Sequence, residues 1–568
     1  MRTVFAERSG IRWVLQHPWV ACGAMIASPL VIAVLFVRAY GVNVPIWDEW
    51  ESVPDILAVL SRRLTLGDLW RQHNEHRIFF PRIAMLALYR LGHMDSRVLM
   101  YANCGILAAT VAIVLIDHLR CSGNTFSAWL SFVPAAWILS SLRQWENLLW
   151  AWQIQIFMCV GAVVVALYAL SYADRIGWMA LGIAAGVVAC CSFSSGMLVW
   201  PAGLFQILVR HRQRSRWRAA LIWCCAAIAT AATYSVGYQR PQHHPSPLAF
   251  LQHPINAATY LLASIGGPLA GDLGGAVAVG LLLSTVALLA ARLWYCRPDL
   301  VRPSMAASLI VFSVGASAMM MIGRVGFGPS QALASRYTTI TVLGVAGLYL
   351  LIVQNLHAES RAPRIVAAIL AIAFVGQASV TDRSIAEAKV TNQHRRQLAI
   401  VLKGYRSQPD EMLAALYPVP STLRERAAVL ELFRLSVFAR AAGLASLPRI
   451  PPFSVDFINN APPTRVPSVM AGTMLRVSGW AVDDRARTVA EGVVVFVDGG
   501  AETAALYGLE RPDVAQVLGN PGYRDCGFTA DAPTLSLAPG RHSLGLRIFN
   551  ADGTGFYEPP IRFFFDIR

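Results

Sequence analysis

Charge is scarce in this sequence of 568 residues. Only 14% of the residues are charged, whereas an ordinary soluble domain carries about a quarter, and 55% are hydrophobic. Lysine is almost absent, because Lys389 and Lys403 are the only two in the chain. A composition so poor in charge argues against a soluble enzyme and indicates a membrane protein.

Paired cysteines are lacking as well. The ten cysteines contain no CxxC pair, and most of them lie within apolar runs, so they are interpreted as small buried residues rather than as a zinc site or a disulfide framework. The net charge of +15 comes almost entirely from arginines, many of which flank apolar runs. Membrane topology therefore explains the positive charge better than binding to nucleic acid does.

Long apolar runs are abundant, and their number excludes a cleaved signal peptide as their explanation. The stretch from Ile78 to Leu91 is short and contains Arg82 and Arg90, so it is predicted to be an interfacial helix. The remaining runs predict eleven transmembrane helices, at Trp19–Tyr40, Val98–Leu119, Phe126–Ser140, Ala151–Tyr172, Ile176–Cys191, Met197–Val209, Trp217–Val236, Gly274–Trp294, Met305–Gly323, Ala334–Val353 and Ile365–Ser379.

The distribution of arginine supports an odd number of spans with a cytoplasmic N-terminus. Eleven spans place the arginine-rich loop at residues 210–218 on the cytoplasmic side, as the positive-inside rule requires, whereas a twelfth span would move it outside. The first outer loop, residues 41–97, breaks this rule because it carries seven arginines. Either the topology fails there, or these arginines bind an anionic ligand, or they form a mixed, solvated surface with the acidic residues of the loop.

Two further regions are predicted after a transmembrane domain at residues 1–380. Residues 381–450 show apolar residues at helical spacing and are predicted to form a helical periplasmic linker. In residues 451–568 the pattern changes to a period of two, with DGG, APG and ADG turns between short strands. This pattern predicts an antiparallel β-sandwich, which the parity of the spans places in the periplasm.

The first two outer loops carry an acidic motif with a distinctive layout. Asp48 and Glu49 directly follow the first span, His76 and Arg77 lie in the sequence NEHR, and Glu146 lies in QWEN of the next outer turn. This layout resembles the GT-C glycosyltransferases, multi-span enzymes that take a sugar from a polyprenyl-phosphate carrier, among them protein O-mannosyltransferases and aminoarabinose transferases. The resemblance covers residues 1–380 and names a superfamily rather than a substrate.

The resemblance implies catalytic and donor-binding roles. Asp48 would act as the general base that removes the proton of the acceptor hydroxyl, and Glu49 would orient the acceptor or the base. The departing polyprenyl phosphate needs fixed cationic donors, and the planar fork of arginine meets phosphate oxygens with two hydrogen bonds. The residues predicted to bind the donor phosphate are Arg336, Tyr337, Arg324, His76 and Arg77.

Structural alternatives stand beside these roles. The alternative for Arg336, the strongest of the phosphate candidates, is an interfacial snorkelling arginine, and the alternative for His76 is a hydrogen-bonded structural histidine. Glu146, Asn147 and Trp145 are predicted to contact the acceptor, although tryptophans at this depth are also typical of an aromatic belt. No cofactor is predicted with certainty. Whether Asp48 and Glu146 hold a divalent cation is an open question, because some members of the superfamily use one.

The sequence thus predicts a bacterial inner-membrane glycosyltransferase that inverts configuration. Its donor would be a sugar linked to polyprenyl phosphate, its acceptor a periplasmic or cell-surface glycan or lipid, and its other partner membrane lipid, with no role for nucleic acid. A non-enzymatic transporter, flippase or assembly protein for lipid-linked glycans is the alternative. Transporters usually carry internal repeats or charges in the middle of a span, and neither is evident in this sequence.

Overall fold

The structure is a computed structural model, and it describes residues 18–210, 215–240, 246, 248–296, 304–355, 362–406, 408–439, 445–500, 502–534, 537–553 and 555–568. The chain forms two compact units. The first unit contains Met1–Gly41, Leu64–Ala87 and Arg97–Ala388, and the second contains Val42–Arg63, Leu88–Ser96 and Lys389–Arg568. The first outer loop of the sequence is therefore divided between the two units.

Helices dominate the chain up to residue 403, and one forms over each of the eleven apolar runs. Several are separated only by short turns of 3-10 helix. In chain order they are α1 (Pro18–Tyr40), α2 (Ser52–Leu60), α3 (Leu66–Trp70), α4 (Phe79–Leu91), α5 (Ser96–Ser122), α6 (Phe126–Leu139), α7 (Trp145–Leu148), α8 (Ile154–Leu170), α9 (Ile176–Cys190), α10 (Val199–Arg210), α11 (Ser215–Ser235), α12 (Ala249–Gln252), α13 (Pro254–Gly266), α14 (Leu273–Cys296), α15 (Met305–Arg324), α16 (Ser335–Asn355) and α17 (Ala362–Lys403).

Among the described residues, six helices are long and apolar enough to cross a membrane, so the chain is a multi-pass membrane protein. Other predicted spans form shorter helices. The helix α6, for example, has 14 residues and a length of about 21 Å, less than the roughly 30 Å of a bilayer core. The count of eleven spans stays a prediction. The six are Trp19–Tyr40, Ser96–Ser122, Ala151–Leu170, Leu273–Cys296, Met305–Phe327 and Ser335–Asn355.

Small residues decide how the helices of the first unit pack. A Cβ atom added at Gly280 of α14 would lie 1.9 Å from the carbonyl oxygen of Leu262, and one added at Gly266 would lie 2.0 Å from the carbonyl oxygen of Ala276. The backbones of α13 and α14 therefore touch, as is common where small residues line a helix interface in a membrane. Only 11% of the most apolar stretch of α14 is buried within the protein. The rest of its surface suits contact with lipid.

The second unit contains further helices and most of the strands. Beyond α17 its helices are α18 (Asp410–Ala414), α19 (Pro420–Leu432) and α20 (Pro512–Val517). The strands of the whole chain are β1 (Gln72–His73) and β2 (His76–Arg77) in the first unit, then β3 (Ala445–Ser446), β4 (Phe453–Ile458), β5 (Ser468–Val469), β6 (Met474–Asp483), β7 (Thr488–Val489), β8 (Gly492–Val497), β9 (Glu502–Ala504), β10 (Leu506–Leu509), β11 (Gly527–Pro533), β12 (Gly540–Phe549), β13 (Gly555–Tyr557) and β14 (Phe563–Ile567).

Two sheets form the predicted β-sandwich. One has the order β10-β11-β6-β4 with β7 beside β6, and the other has the order β3-β13-β12-β14-β5 with β8 beside β12 and β9 beside β8. A shared core joins them, because Val477 and Phe528 of the first sheet pack in one cluster with Leu546 and Phe565 of the second. Most pairs are antiparallel, as predicted, and the short pairs β13–β3 and β14–β5 are parallel.

The turn signals of the sequence correspond to backbone conformations that favour glycine. Gly499 in DGG has a φ of 71°, Gly540 in APG one of 133°, and Gly553 in ADG one of 66°. Residues with a side chain rarely adopt such angles. The helix α17 continues to Lys403, and Ile400 packs with Val494 and Phe549 against the larger sheet. The helical linker at residues 381–450 stays a prediction.

Candidate functional site

A short hairpin in the first unit presents the NEHR residues. Its strands β1 and β2 pair His73 with His76 and Gln72 with Arg77, and Asn74 turns the chain with a φ of 48°, a left-handed value that asparagine tolerates better than most residues. Gln72 fastens the hairpin to the chain beyond α11, because its Nε2 donates to the carbonyl of Gln239 at 2.6 Å.

Arg77 anchors this hairpin to the end of α11. Its Nε donates to the carbonyl oxygen of Tyr234 at 2.7 Å, its Nη1 donates to that of Trp70 at 2.9 Å, and its Nη2 donates to that of Val236. The last carbonyls of a helix have no partner within the helix, and a cation there also meets the negative end of the helix dipole. Arg77 is buried, so its geometry is that of a structural residue.

His76 is held beside the hairpin turn by two neighbours. Its Nδ1 accepts a hydrogen bond from the backbone N–H of Ser194 at 3.2 Å, and its ring stacks on Phe193 with the ring centroids 4.0 Å apart. A neutral imidazole whose Nδ1 accepts carries its proton on Nε2. That nitrogen lies 3.6 Å from Oε1 of Glu75.

Glu75 and Arg324 form the central ion pair of this region. Arg324 is the last residue of α15, and its Nη2 lies 2.5 Å from Oε1 of Glu75. About a quarter of the Arg324 side chain and a fifth of the Glu75 side chain are exposed, at 26% and 22%. The pair is therefore partly shielded from water and partly accessible.

A cavity of about 750 Å³ opens in front of this ion pair. One end carries the polar groups, namely Glu75, His76 and Arg324 together with the Ser194 region, and Tyr337 also lines it. The remaining wall is mostly apolar and comes from α10, α11, α15 and the turn of 3-10 helix Ser194–Leu198 that precedes α10. Its apolar residues are Met197, Trp200, Ala227, Ile228, Ala231, Met319, Met320 and Ile322.

The electrostatics of the cavity are visible at Tyr238, which also lines it. Burial raises the pKa of Tyr238 above its ordinary value, and the negative charge of Glu75 raises that pKa further, while Arg240 and Arg77 act in the opposite direction. The carboxylate of Glu75 therefore lies close enough to the cavity lining to affect an ionisable group there.

The QWEN turn forms a second polar cluster in the first unit. Asn147 donates through Nδ2 to the carbonyl of Arg336 at 2.8 Å and to Oγ1 of Thr339 at 2.8 Å, and Thr339 donates to Oε1 of Gln144 at 2.8 Å. These bonds fix the turn against the start of α16. Within this arrangement Nη1 of Arg336 lies 3.4 Å from Oε1 of Glu146.

The remaining first-unit candidates take structural partners in this cluster. The guanidinium of Arg336 lies 5.5 Å from the centroid of the Tyr337 ring. Trp145 donates from its indole Nε1 to Oε2 of Glu387 at 2.9 Å. Of the five residues predicted to bind phosphate, the structure brings His76, Arg324 and Tyr337 to one cavity, whereas Arg336 faces Glu146 and Arg77 supports the hairpin.

The acidic pair Asp48 and Glu49 belongs to the second unit. The two residues lie in a turn of 3-10 helix, Trp47–Glu51, in which Glu49 is buried and accepts a hydrogen bond from Oγ of Ser96 at 3.0 Å. Asp48 is half-buried. Trp47 has a φ of 49°, a strained value for a bulky residue that tends to mark functional positions. The catalytic roles of Asp48 and Glu49 stay predictions.

Two features of the site bear on the sequence prediction. Within the part of the chain that the structure describes, no group of three or more His, Cys, Asp or Glu side chains could hold a metal ion. Glu75 received no role in the sequence interpretation, although it occupies the centre of the cavity's polar end. The available signal was its place in NEHR, as an acidic residue directly before a histidine and an arginine.

The sequence matches no known family model and no curated protein. Among solved structures, the chain is similar to the crystal structure of ArnT from Cupriavidus metallidurans bound to undecaprenyl phosphate. The match covers 90% of this chain and 98% of that chain, with 13% sequence identity and a TM-score of 0.37. At this TM-score the likeness carries no argument about this chain.

Proposed function

We propose that this protein is a bacterial inner-membrane glycosyltransferase of the GT-C type, which moves a sugar from a polyprenyl-phosphate carrier to a glycan or lipid acceptor in the periplasm. Residues 1–380 are its transmembrane domain with a cytoplasmic N-terminus, residues 381–450 its linker and residues 451–568 a periplasmic sandwich. The observation that carries the proposal is the first-unit cavity, which joins a polar end, where Arg324 pairs with Glu75, to a mostly apolar wall.

The polar end of the cavity suits a lipid phosphate. Arg324 presents a guanidinium, whose N–H groups can make two parallel bonds to phosphate oxygens. His76 adds an N–H on Nε2, and its ring is held in place by Ser194 and Phe193. Fixed donors in a partly shielded site stabilise the charge that develops on a departing phosphate more than donors in bulk water do.

The apolar wall suits the hydrocarbon chain of the carrier. Ile228 of α11 is 70% exposed and Ile322 of α15 is 37% exposed, so the apolar lining continues to the outer surface of these helices. A volume of about 750 Å³ lies within the range of about 300 to 1,000 Å³ typical of ligand pockets. A headgroup and the first part of a polyprenyl chain fit such a space.

The structure supports Arg324 as the main phosphate-binding residue in preference to Arg336. Arg324 lines the cavity, whereas Arg336 faces Glu146 in the QWEN turn. Arg77 has a supporting role, because three of its donor groups are engaged by carbonyl oxygens. We assign Arg77 to the positioning of Glu75 and His76.

Asp48 is our proposed general base. It would take the proton of the acceptor hydroxyl as that oxygen attacks the anomeric carbon, with inversion of configuration. Glu49 is buried against Ser96, so we assign it to the orientation of the turn.

Binding of undecaprenyl phosphate to the detergent-purified protein tests the donor site. Arg324→Gln removes the guanidinium from the cavity, so the dissociation constant should rise about tenfold or more, as expected for a lost charge-assisted contact. Arg383→Gln is the matched control, because Arg383 lies in the same unit with its side chain 58% exposed and does not line the cavity. Equal affinities for wild type and Arg324→Gln would contradict the proposed donor site.

Turnover in membrane vesicles supplied with lipid-linked sugar tests the base and separates an enzyme from a transporter. Asp48→Asn should abolish transfer while leaving undecaprenyl phosphate binding and the unfolding temperature unchanged. Transfer near the wild-type rate in Asp48→Asn would show that another group is the base. Movement of the lipid-linked sugar across the membrane without any transferred product would favour the transporter alternative.

A further inference from the structure

Glu75 is a carboxylate placed where an anionic headgroup is proposed to bind. Its Oε1 contacts Nη2 of Arg324 at 2.5 Å, so an incoming phosphate competes with it for the same guanidinium. A carboxylate in an anion site weakens the attraction for the ligand, and it does so more strongly as the ligand's negative charge increases.

The backbone holds Glu75 at the cavity even when its side chain gives way to a ligand. Its carbonyl oxygen accepts a hydrogen bond from the Tyr234 hydroxyl at 2.9 Å. The next residue, His76, is held by Ser194, and Arg77 is bonded to the end of α11. The carboxylate can rotate away from Arg324 but it stays at the polar end of the cavity.

The proposed reaction changes the charge of the carrier, and this inference rests on that proposed function. Transfer breaks the bond between the anomeric carbon and the phosphate oxygen, forms the bond to the acceptor oxygen, and delivers the acceptor's proton to the base. The phosphate keeps the bonding electrons. A diester with one negative charge thus becomes a monoester, whose second pKa is about 6, so most of it carries two negative charges at neutral pH.

We propose that Glu75 sets the charge preference of the cavity, so that it holds the singly charged phosphodiester donor in preference to the doubly charged monoester product. Arg324 supplies the attraction for both lipids. Glu75 lowers the affinity for the monoester product more than the affinity for the diester donor, because its carboxylate repels each additional negative charge on the ligand. Glu75 therefore promotes release of the spent carrier, which an arginine alone would retain.

The test compares the binding of two lipids to the full-length protein in detergent at pH 7.5, namely undecaprenyl phosphate and its methyl phosphodiester. Neither measurement requires the sugar to be known. The wild type should bind the diester at least as tightly as the monoester. Glu75→Gln removes the charge while keeping an oxygen that can accept from Arg324, so the affinity for the monoester relative to the diester should rise about tenfold, or about 1.4 kcal/mol.

Two further variants separate charge from shape. Glu75→Asp keeps the negative charge and should keep the wild-type ratio of the two affinities. Asp272→Asn removes a negative charge from the first unit at a residue that does not line the cavity, where its Oδ1 accepts from the N–H of Gly275 at 2.8 Å. Asparagine caps a helix as well as aspartate does, so this control should also keep the ratio.

The outcomes distinguish the two proposals. Binding of neither lipid by the wild type, in competition with ordinary phospholipid, would overturn the donor site and with it the proposed function. Binding of both lipids with the same ratio in wild type and Glu75→Gln would overturn the role of Glu75 alone. Should Glu75→Gln fail to fold, a wild-type preference for the monoester over the diester would overturn that role by itself.

Discussion

Two arginine–glutamate pairs of the first unit have the same chemistry and different surroundings. The pair of Arg324 and Glu75 lies at the end of a cavity, with its atoms 2.5 Å apart. The pair of Arg336 and Glu146 lies beside a turn that Asn147 and its neighbours fasten to α16, with its atoms 3.4 Å apart. The surroundings, rather than the residue types, therefore distinguish the two pairs. A ligand in the cavity can displace Glu75 from Arg324, whereas the pair of Arg336 and Glu146 is part of a structural turn.

Arg77→Met is expected to have the largest effect on stability and on lipid binding. The substitution leaves the carbonyls of Tyr234, Val236 and Trp70 without their donor. The bond to Tyr234 is buried and the other two are partly buried, so the free energy of unfolding should fall by about 3 kcal/mol. The hairpin that carries Glu75 should loosen, and undecaprenyl phosphate binding should weaken with it. Thermal unfolding and lipid binding of the detergent-purified protein measure both effects.

The exposed Arg175 provides a control, because Arg175→Met removes a guanidinium from the same unit without removing a donor from α11. If the two variants unfold at the same temperature, Arg77 does not anchor the hairpin.

A somewhat smaller effect is expected from Asn147→Leu in the QWEN turn. The change keeps the approximate size of the side chain and removes its bonds to the carbonyl of Arg336 and to Thr339. The free energy of unfolding should fall by about 2 kcal/mol, while the affinity for undecaprenyl phosphate should not change. Asn124→Leu is the matched control, because the hydrogen bond that Asn124 accepts from the indole N–H of Trp129 is exposed to solvent. A loss of lipid binding without a loss of stability would place Asn147 in the site itself.

Arg336→Gln should have a small effect on stability. The pair with Glu146 is partly exposed, at 29% and 20% for the two side chains, and such pairs contribute up to about 1 kcal/mol. The affinity for undecaprenyl phosphate should change less than about threefold, well below the effect of Arg324→Gln. If Arg336→Gln weakened binding as much as Arg324→Gln does, the sequence-based choice of Arg336 as the main phosphate ligand would be restored.

The smallest effect concerns a cation–carboxylate pair of the second unit that pH can switch. Nδ1 of His542 lies 2.6 Å from Oδ2 of Asp498, and its Nε2 lies 2.7 Å from the carbonyl oxygen of Ala538. The bond to Asp498, followed by the bond to Ala538, raises the pKa of His542 above its usual value near 6.5. Because the folded pKa is raised, the stabilisation is complete below the unfolded pKa and is lost as pH rises through the folded pKa.

The unfolding temperature of the wild type should therefore fall, relative to that of His542→Gln, as the pH increases above about 6.5. Parallel pH profiles for the two proteins would show that the pair contributes nothing to the stability of the second unit.

Much of the architecture was predictable because it depends on local patterns. Helices formed over all eleven apolar runs, and the period-two segments after residue 451 became the strands of two packed sheets. His76 and Arg77 of NEHR are predicted as candidates for the same reason, since charge next to an apolar span is a local feature of the sequence. The roles within NEHR were not predictable, because the role of each residue depends on distant groups: Arg77 meets the end of α11, and His76 meets Phe193 and Ser194.

The sequence by itself determined that the chain lies in a membrane, where its helices run and that its C-terminal part folds as sheets, because hydropathy and side-chain periodicity act over a few neighbouring residues. Only the tertiary structure decided that Arg324 rather than Arg336 meets the cavity and that Glu75 faces it. Those contacts join residues separated by some 250 positions. Local sequence patterns do not show which of several arginines lies at the cavity, because the packing of distant helices decides it.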